Sequence, residues 1–332
     1  MRKVQAAAAR TAVRNCYDPH SLDSSCPFGS SLRRLAPAQI IDYHQHLYSS
    51  VAGPISIPGW HGVTADELIA LMDASHIERA VVLSTAYSLA NPHKPAIPNE
   101  RQAVQMDNDW TSAQVAKYSD RLIGFCSVNP LKAYAIAEID RCSKDPHLAT
   151  GLKLHFGNSD VDVDNPKHLA QLKKVFRAAS NNRMTIVVHA HANVTFQRPY
   201  GVAQARVFLN QLLPEAKGIA VVLAHMAGAG GFDESTQRAL AVYAEAIAHQ
   251  DSRVRNLYFD ACISAKDEEA PILAQRIREI GVSRIFYGSD APVKGSFPAE
   301  SLDRWHRLPL TVEEFHAIET NAAPFLHRAI PR

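Results

Sequence analysis

Eight times after Ile40 a short apolar run is followed by a segment of helical character, and this alternation limits the fold more than any other feature of the chain. The runs are Ile40–His46, Arg79–Ser84, Leu122–Val128, Ala149–Leu154, Met184–His189, Ile219–His225, Leu257–Asp260 and Arg284–Asp290. Most are apolar up to a polar end, as expected of parallel strands buried on both faces. Helices are predicted between them, among them Leu131–Cys142 and Val202–Leu213. Two are opened by capping boxes, Thr64-Ala65-Asp66-Glu67 and Thr311-Val312-Glu313-Glu314, in which hydroxyl and carboxylate satisfy the orphan N–H groups of a first turn. Eight βα units predict an α/β fold, a TIM-type (β/α)8 barrel. A doubly wound open sheet is the competing arrangement, but no GxGxxG follows the first run.

The barrel is assigned to residues 37–332. Residues 1–36 read as an irregular N-terminal extension: Arg-bearing, acid-free to Arg14, then rich in Ser, Pro and Gly. Its Ala6–Ala9 run is too short for the apolar core of a secretory signal. A net charge of +2 over 332 residues gives no reason to expect nucleic acid or an anionic membrane as partner. Nothing approaches 18 consecutive apolar residues, so no membrane-spanning helix is expected. The five cysteines lack CxxC spacing and read as thiols of a reducing, cytoplasmic compartment, forming neither disulfides nor a Cys-rich zinc site.

Function in such a barrel sits at the C-terminal ends of the strands. The first run ends Asp42-Tyr43-His44-Gln45-His46, and a strand's period of two puts Asp42, His44 and His46 on one face. Two imidazoles so placed can reach one metal ion together. Lys153 and His155 end the fourth run, His189 the fifth with His191 two residues on, His225 the sixth, and Gly288-Ser289-Asp290 the eighth. A lone strand-end His is usually a satisfied core residue; several at one mouth with an Asp are better explained as a site.

This set, Asp42-x-His44-x-His46, His189, His225 and Gly288-Ser289-Asp290, resembles the amidohydrolase superfamily, and more closely the branch of aminocarboxymuconate-semialdehyde decarboxylase and its relatives. The resemblance spans about Ile40 to His327. It implies a metal held by His44, His46, His189 and Asp290, with His225 as acid or base. The residue chemistry agrees: three neutral nitrogens and one anionic oxygen suit one divalent ion, Zn²⁺ first, with an open position for water. His225 has a reference pKa suited to moving a proton. Asp42 reads as a supporting carboxylate. In some members a Lys on the fourth strand is carboxylated and bridges two metals, so Lys153, with His155 and His191, could belong to a binuclear site or meet the substrate. A single metal is the usual case in the closer branch.

Arg198 and Tyr200, in the loop after the fifth run, and Trp60 and His61, in the long first loop, are candidate contacts for a small-molecule substrate. Gly228-Ala229-Gly230-Gly231 reads as a tight turn. The favoured activity is metal-dependent hydrolysis of an ester, lactone or amide. The alternatives are metal-dependent, non-oxidative decarboxylation of an unsaturated or aromatic acid, and a metal-binding barrel without catalysis. A homodimer paired through outer helices is expected.

Overall fold

The computed structural model describes residues 39–49, 62–193, 197–292 and 297–326. The extension, Trp60 and His61 lie outside the described residues. The strands are β1 (Ile40–Gln45), β2 (Ile77–Leu83), β3 (Leu122–Ser127), β4 (Gly151–His155), β5 (Thr185–His189), β6 (Val221–Leu223), β7 (Leu257–Asp260) and β8 (Ile285–Phe286). Between and after them run α1 (Ala65–Ala74), α2 (Glu100–Ala116), α3 (Ala135–Cys142), α4 (Pro166–Asn181), α5 (Val202–Val207), α6 (Glu234–Ala248), α7 (Ala270–Ile280), α8 (Pro298–Trp305) and α9 (Val312–Glu319). The strands pair in parallel in the order β1 to β8. The sheet closes on itself where Tyr43 N–H donates to Tyr287 C=O and Asp290 N–H to His44 C=O, both at 2.8 Å. This is the (β/α)8 barrel that the alternation predicts.

Both capping boxes form as predicted, before α1 and before α9. Inside the barrel, side chains of unequal size interlock. A Cβ on Gly151 would lie 2.1 Å from the Phe125 ring, so β4 carries glycine where β3 carries an aromatic. The N-terminal end is plugged by Phe325, which meets Tyr43 edge-on at 5.9 Å. The Tyr43 hydroxyl donates to Asn321 C=O and accepts from Ala323 N–H, both at 2.7 Å. A plugged bottom leaves the opposite rim as the open end.

Several predicted boundaries shift. The helix expected from Leu131 starts at Ala135, because the Asn129 side chain takes the Leu131 N–H and turns the chain first. The helix from Val202 loosens into a π-turn at Phe208–Leu212. β6 stops at Leu223, where His225, Met226 and Ala227 adopt positive φ. β8 shrinks to two residues, because the stretch up to Asp290 runs along β1 without a full ladder. The helix α8 adds to the predicted elements, and Pro298 at its first turn and Glu300 after it are its starting signals.

The reading of every cysteine as a thiol is corrected. Cys126 on β3 and Cys142 at the end of α3 form a disulfide, since the βα packing folds the helix end back over the strand. With this pair oxidised, the cysteines no longer point to a reducing compartment. Cys262 is free and buried. No helix among the described residues is long and apolar enough to cross a membrane.

Candidate metal centre

β1 delivers His44 and His46 to the open end of the barrel, both at most 4% exposed. Each ring is fixed through Nδ1. That of His44 lies 2.8 Å from Asp260 Oδ2, and that of His46 lies 2.8 Å from Leu83 C=O. With acceptors at both Nδ1 positions, the protons sit there and both Nε2 atoms carry lone pairs. Those lone pairs converge on Asp290, whose Oδ1 is 3.5 Å from His44 Nε2 and 3.3 Å from His46 Nε2. Burial pushes the His44 imidazole down to about 3, with Lys153 adding to the shift, so the ring is neutral at pH 7. Although burial opposes its charge, the imidazoles of His46, His44 and His225 around it hold the Asp290 carboxyl well below the usual carboxylate range.

Two imidazole lone pairs facing a carboxylate oxygen form a nest that wants a cation. The buried Nε2 of His189 has no hydrogen-bond partner. His189 lies against His225, with ring centroids 4.8 Å apart, and stacks on His155 at 4.1 Å. Three imidazoles and one carboxylate at one barrel mouth, with one nitrogen orphaned, are donors of the kind that suits a divalent ion.

His225 sits beside His44, with ring centroids 4.9 Å apart. Its Nδ1 is 2.7 Å from Cys262 C=O and 2.9 Å from Cys262 Sγ, which leaves the lone pair on Nε2. The residue itself is in the left-handed region, φ 55°, a strained conformation that turns the ring into the site. One ligand atom from each of His44, His225, Cys262 and Asp290 lies within 4.8 Å of the others. The Cys262 thiol touches the Nδ1 side of both rings, 3.4 Å from His44 and 2.9 Å from His225.

Lys153 is 1% exposed, and its Nζ lies 3.2 Å from His44 Nε2, a donor against a lone pair. Burial pushes its ammonium down, and it makes no ion pair among the described residues. His155 is buried, and its Nδ1 accepts the Asn158 N–H at 3.1 Å. That leaves the proton on Nε2 and no lone pair for a second metal. His191 turns away toward the start of α6, with Nε2 3.4 Å from Ser235 Oγ and its ring on Tyr200 at 4.0 Å. Tyr200 in turn donates to Ala227 C=O and ties down the turn after β6. Arg198 binds Asp160 at 2.8 Å on the loop after β4. Its guanidinium already has an acid, so the structure gives it a structural partner where the sequence proposed a substrate carboxylate.

Two residues that the sequence marks only as a run end and a motif member, Asp260 and Gly288, support the site. Asp260 ends β7, and the signal was available: a carboxylate closing an apolar run. Gly288 is the second. A Cβ there would lie 2.9 Å from His44 Cβ and 3.1 Å from Cys262 Cβ, so only glycine lets the stretch after β8 pass under the site. Asp42 accepts the N–H groups of His44 and Ser289, each at 3.0 Å, and the Gln45 side chain at 2.6 Å. It sews β1 to the loop that carries Asp290.

The family model described as Amidohydrolase matches residues 41–328. No curated protein matches the chain in sequence. Among solved structures, a manganese-bound dihydroxybenzoic acid decarboxylase from Polaromonas is similar at TM-score 0.61 and 16% identity, over 88% of this chain and 98% of that one. A manganese-bound 5-carboxyvanillate decarboxylase from Novosphingobium aromaticivorans gives TM-score 0.61 at 14% identity, over 88% and 97%. A probable 2-pyrone-4,6-dicarboxylic acid hydrolase from Acinetobacter baumannii gives 0.55 at 16%, over 85% and 96%. At these identities the likeness is one of fold. The match over residues 41–328, on a barrel whose strand ends gather this donor set, makes the chain a member of the amidohydrolase family.

Proposed function

We propose that the chain is a metal-dependent hydrolase of small, carboxylate-bearing esters, lactones or amides. The observation that carries this reading is the state of His225. Its Nδ1 faces the Cys262 carbonyl at 2.7 Å, so the neutral ring presents a proton acceptor to the site. Hydrolysis needs an acceptor first, for the proton of the attacking water. His225 takes that proton on Nε2 and returns it to the leaving group. Asp290, held anionic, orients the water, and the Lys153 ammonium binds an anionic part of the substrate. His44, His46, His189 and Asp290 would hold a divalent ion, which would supply polarisation of the carbonyl and a more acidic water. Zn²⁺ suits this donor set, and one ion is favoured because His155 offers no free lone pair. We also propose pairing of two barrels through outer helices, which a monomer mass in light scattering would refute.

A second reading, loss of CO₂ from an aromatic or unsaturated acid, draws on Lys153. A buried ammonium without an acid partner among the described residues suits a substrate carboxylate, and several of the similar solved structures are decarboxylases by name. A panel of esters, lactones, amides and aromatic acids, read by pH change and by CO₂ release, separates the two. CO₂ release from an acid, with no ester, lactone or amide turned over, would replace hydrolysis by decarboxylation. Elemental analysis of the wild type against His44→Ala and Asp290→Ala tests the centre itself. Full metal content in both variants would sink the ligand set, and manganese in place of zinc would change the ion alone.

A further inference from the structure

A cavity of about 110 Å³ opens at the plugged end of the barrel, where the segments leading into β5, β6 and β7 meet Pro324 and Phe325. No acidic residue lines it, and its one charged wall residue is Arg183. Arg183 is exposed and makes no ion pair among the described residues. The hydroxyls of Thr185 and Tyr258 have no hydrogen-bond partner among the described residues, although Thr185 is only 3% exposed. The N–H groups of Gly218 and Ala220, also at the wall, donate to no carbonyl among the described residues. Gly218 has φ 73°, the left-handed conformation with which turns present N–H groups to anions. Arg183 has φ 56° just past the end of α4, a position that favours glycine. The strain of an L side chain in that conformation is thus borne by the residue that brings positive charge to the cavity. The volume equals that of about three or four waters at about 30 Å³ each, well short of the roughly 300 Å³ at which pockets for organic ligands begin.

We infer that this cavity is a binding site for a small tetrahedral oxyanion, inorganic phosphate or sulfate, separate from the metal centre at the opposite end of the barrel. The Arg183 guanidinium supplies the charge and a planar fork of N–H donors suited to phosphate. The Gly218 and Ala220 N–H groups and the Thr185 and Tyr258 hydroxyls supply neutral donors around it. Unspent donors without a carboxylate among them select an anion, and the small volume selects an inorganic one. Phe325 forms part of the wall, so a bound anion links the starts of three strands to the segment that plugs the barrel. Its effect is on the stability of that end, and the inference stands independently of the reaction proposed at the mouth.

Calorimetric titration with inorganic phosphate and with sulfate, against chloride at constant ionic strength, tests it on the full chain, together with thermal unfolding in the same salts. The wild type should bind phosphate and unfold at a higher temperature in its presence. Arg183→Gly relieves the left-handed strain, so this variant should be at least as stable as the wild type in chloride. It should nevertheless bind phosphate about tenfold or more weakly, the scale of a lost hydrogen bond to a charged group. Tyr258→Phe keeps the ring stacked on Phe286, 5.2 Å away, and removes only the hydroxyl. It should weaken phosphate about threefold or more. The Arg183-dependent binding should persist in His44→Ala, at the other end of the barrel. Phosphate binding that is unchanged in Arg183→Gly and lost in His44→Ala would put the anion at the metal centre and overturn the proposal. So would a wild type whose heats and unfolding temperature are the same in phosphate, sulfate and chloride.

Discussion

Asp260 holds His44 from behind: its Oδ2 is 2.8 Å from the imidazole Nδ1, while its Oδ1 accepts the backbone N–H of His225 at 2.7 Å. One fully buried carboxylate thus sets the ring of a proposed ligand and the backbone of the proposed base. Although burial opposes its charge, its neighbours His44 and His225 hold it well below the usual carboxylate range. Asp260→Asn should keep the fold but loosen the His44 tautomer. Metal affinity should fall about 10- to 100-fold, as for other residues that orient metal-bound imidazoles. Competition with a chromophoric chelator measures it, and an unchanged affinity would remove Asp260 from the centre.

His225→Asn separates chemistry from metal binding. Asn retains hydrogen bonding but cannot take up a proton near pH 7. Turnover should drop about 10²- to 10⁴-fold with metal content unchanged. Loss of metal together with activity would make His225 a ligand, and undiminished turnover would end its role as base.

Gly288→Ala should disturb the centre without touching a polar group. The new methyl would press on His44 Cβ at 2.9 Å and Cys262 Cβ at 3.1 Å. Overpacking of this kind costs about 1–3 kcal/mol. Denaturant unfolding should show that loss, and the chelator assay should show weaker metal binding. A variant as stable as the wild type and with equal affinity would contradict the close approach of the stretch after β8 to β1.

Asp107 predicts a pH effect away from the metal. Burial raises its carboxyl to about 6, partly countered by the Ser49 hydroxyl at 2.7 Å. Between the unfolded value near 4 and the folded value near 6, the native state holds more protons than the unfolded one. Stability from this group is therefore full below pH 4 and falls as pH rises through 6. Asp107→Asn should flatten that slope and be the more stable protein at pH 8, by about 1–3 kcal/mol. Urea midpoints at pH 5 and pH 8 for both proteins give the comparison. A variant destabilised equally at both pH values would show that the carboxyl is not titrating in this window.

By itself the sequence determined the barrel and the composition of its mouth. Strands buried on both faces must be continuous apolar runs, and helices of this kind announce themselves by caps, so eight repeats left few folds. The period of two along β1 put His44 and His46 on one face before any coordinate was known. What only the tertiary structure decided depends on contacts between distant segments. Asp260 and His44 are 216 residues apart, and nothing local marks that carboxylate as the partner of that ring. The left-handed turn at His225 replaced strand with a tight turn, because packing against β7 outweighed the local apolar pattern. Arg198 and Arg304 look alike in sequence; one was drawn to Asp160 and the other placed at a cavity rim by a helix the apolar pattern did not reveal. The pairing of Cys126 with Cys142 likewise depends on how α3 folds back on β3, which spacing alone does not fix.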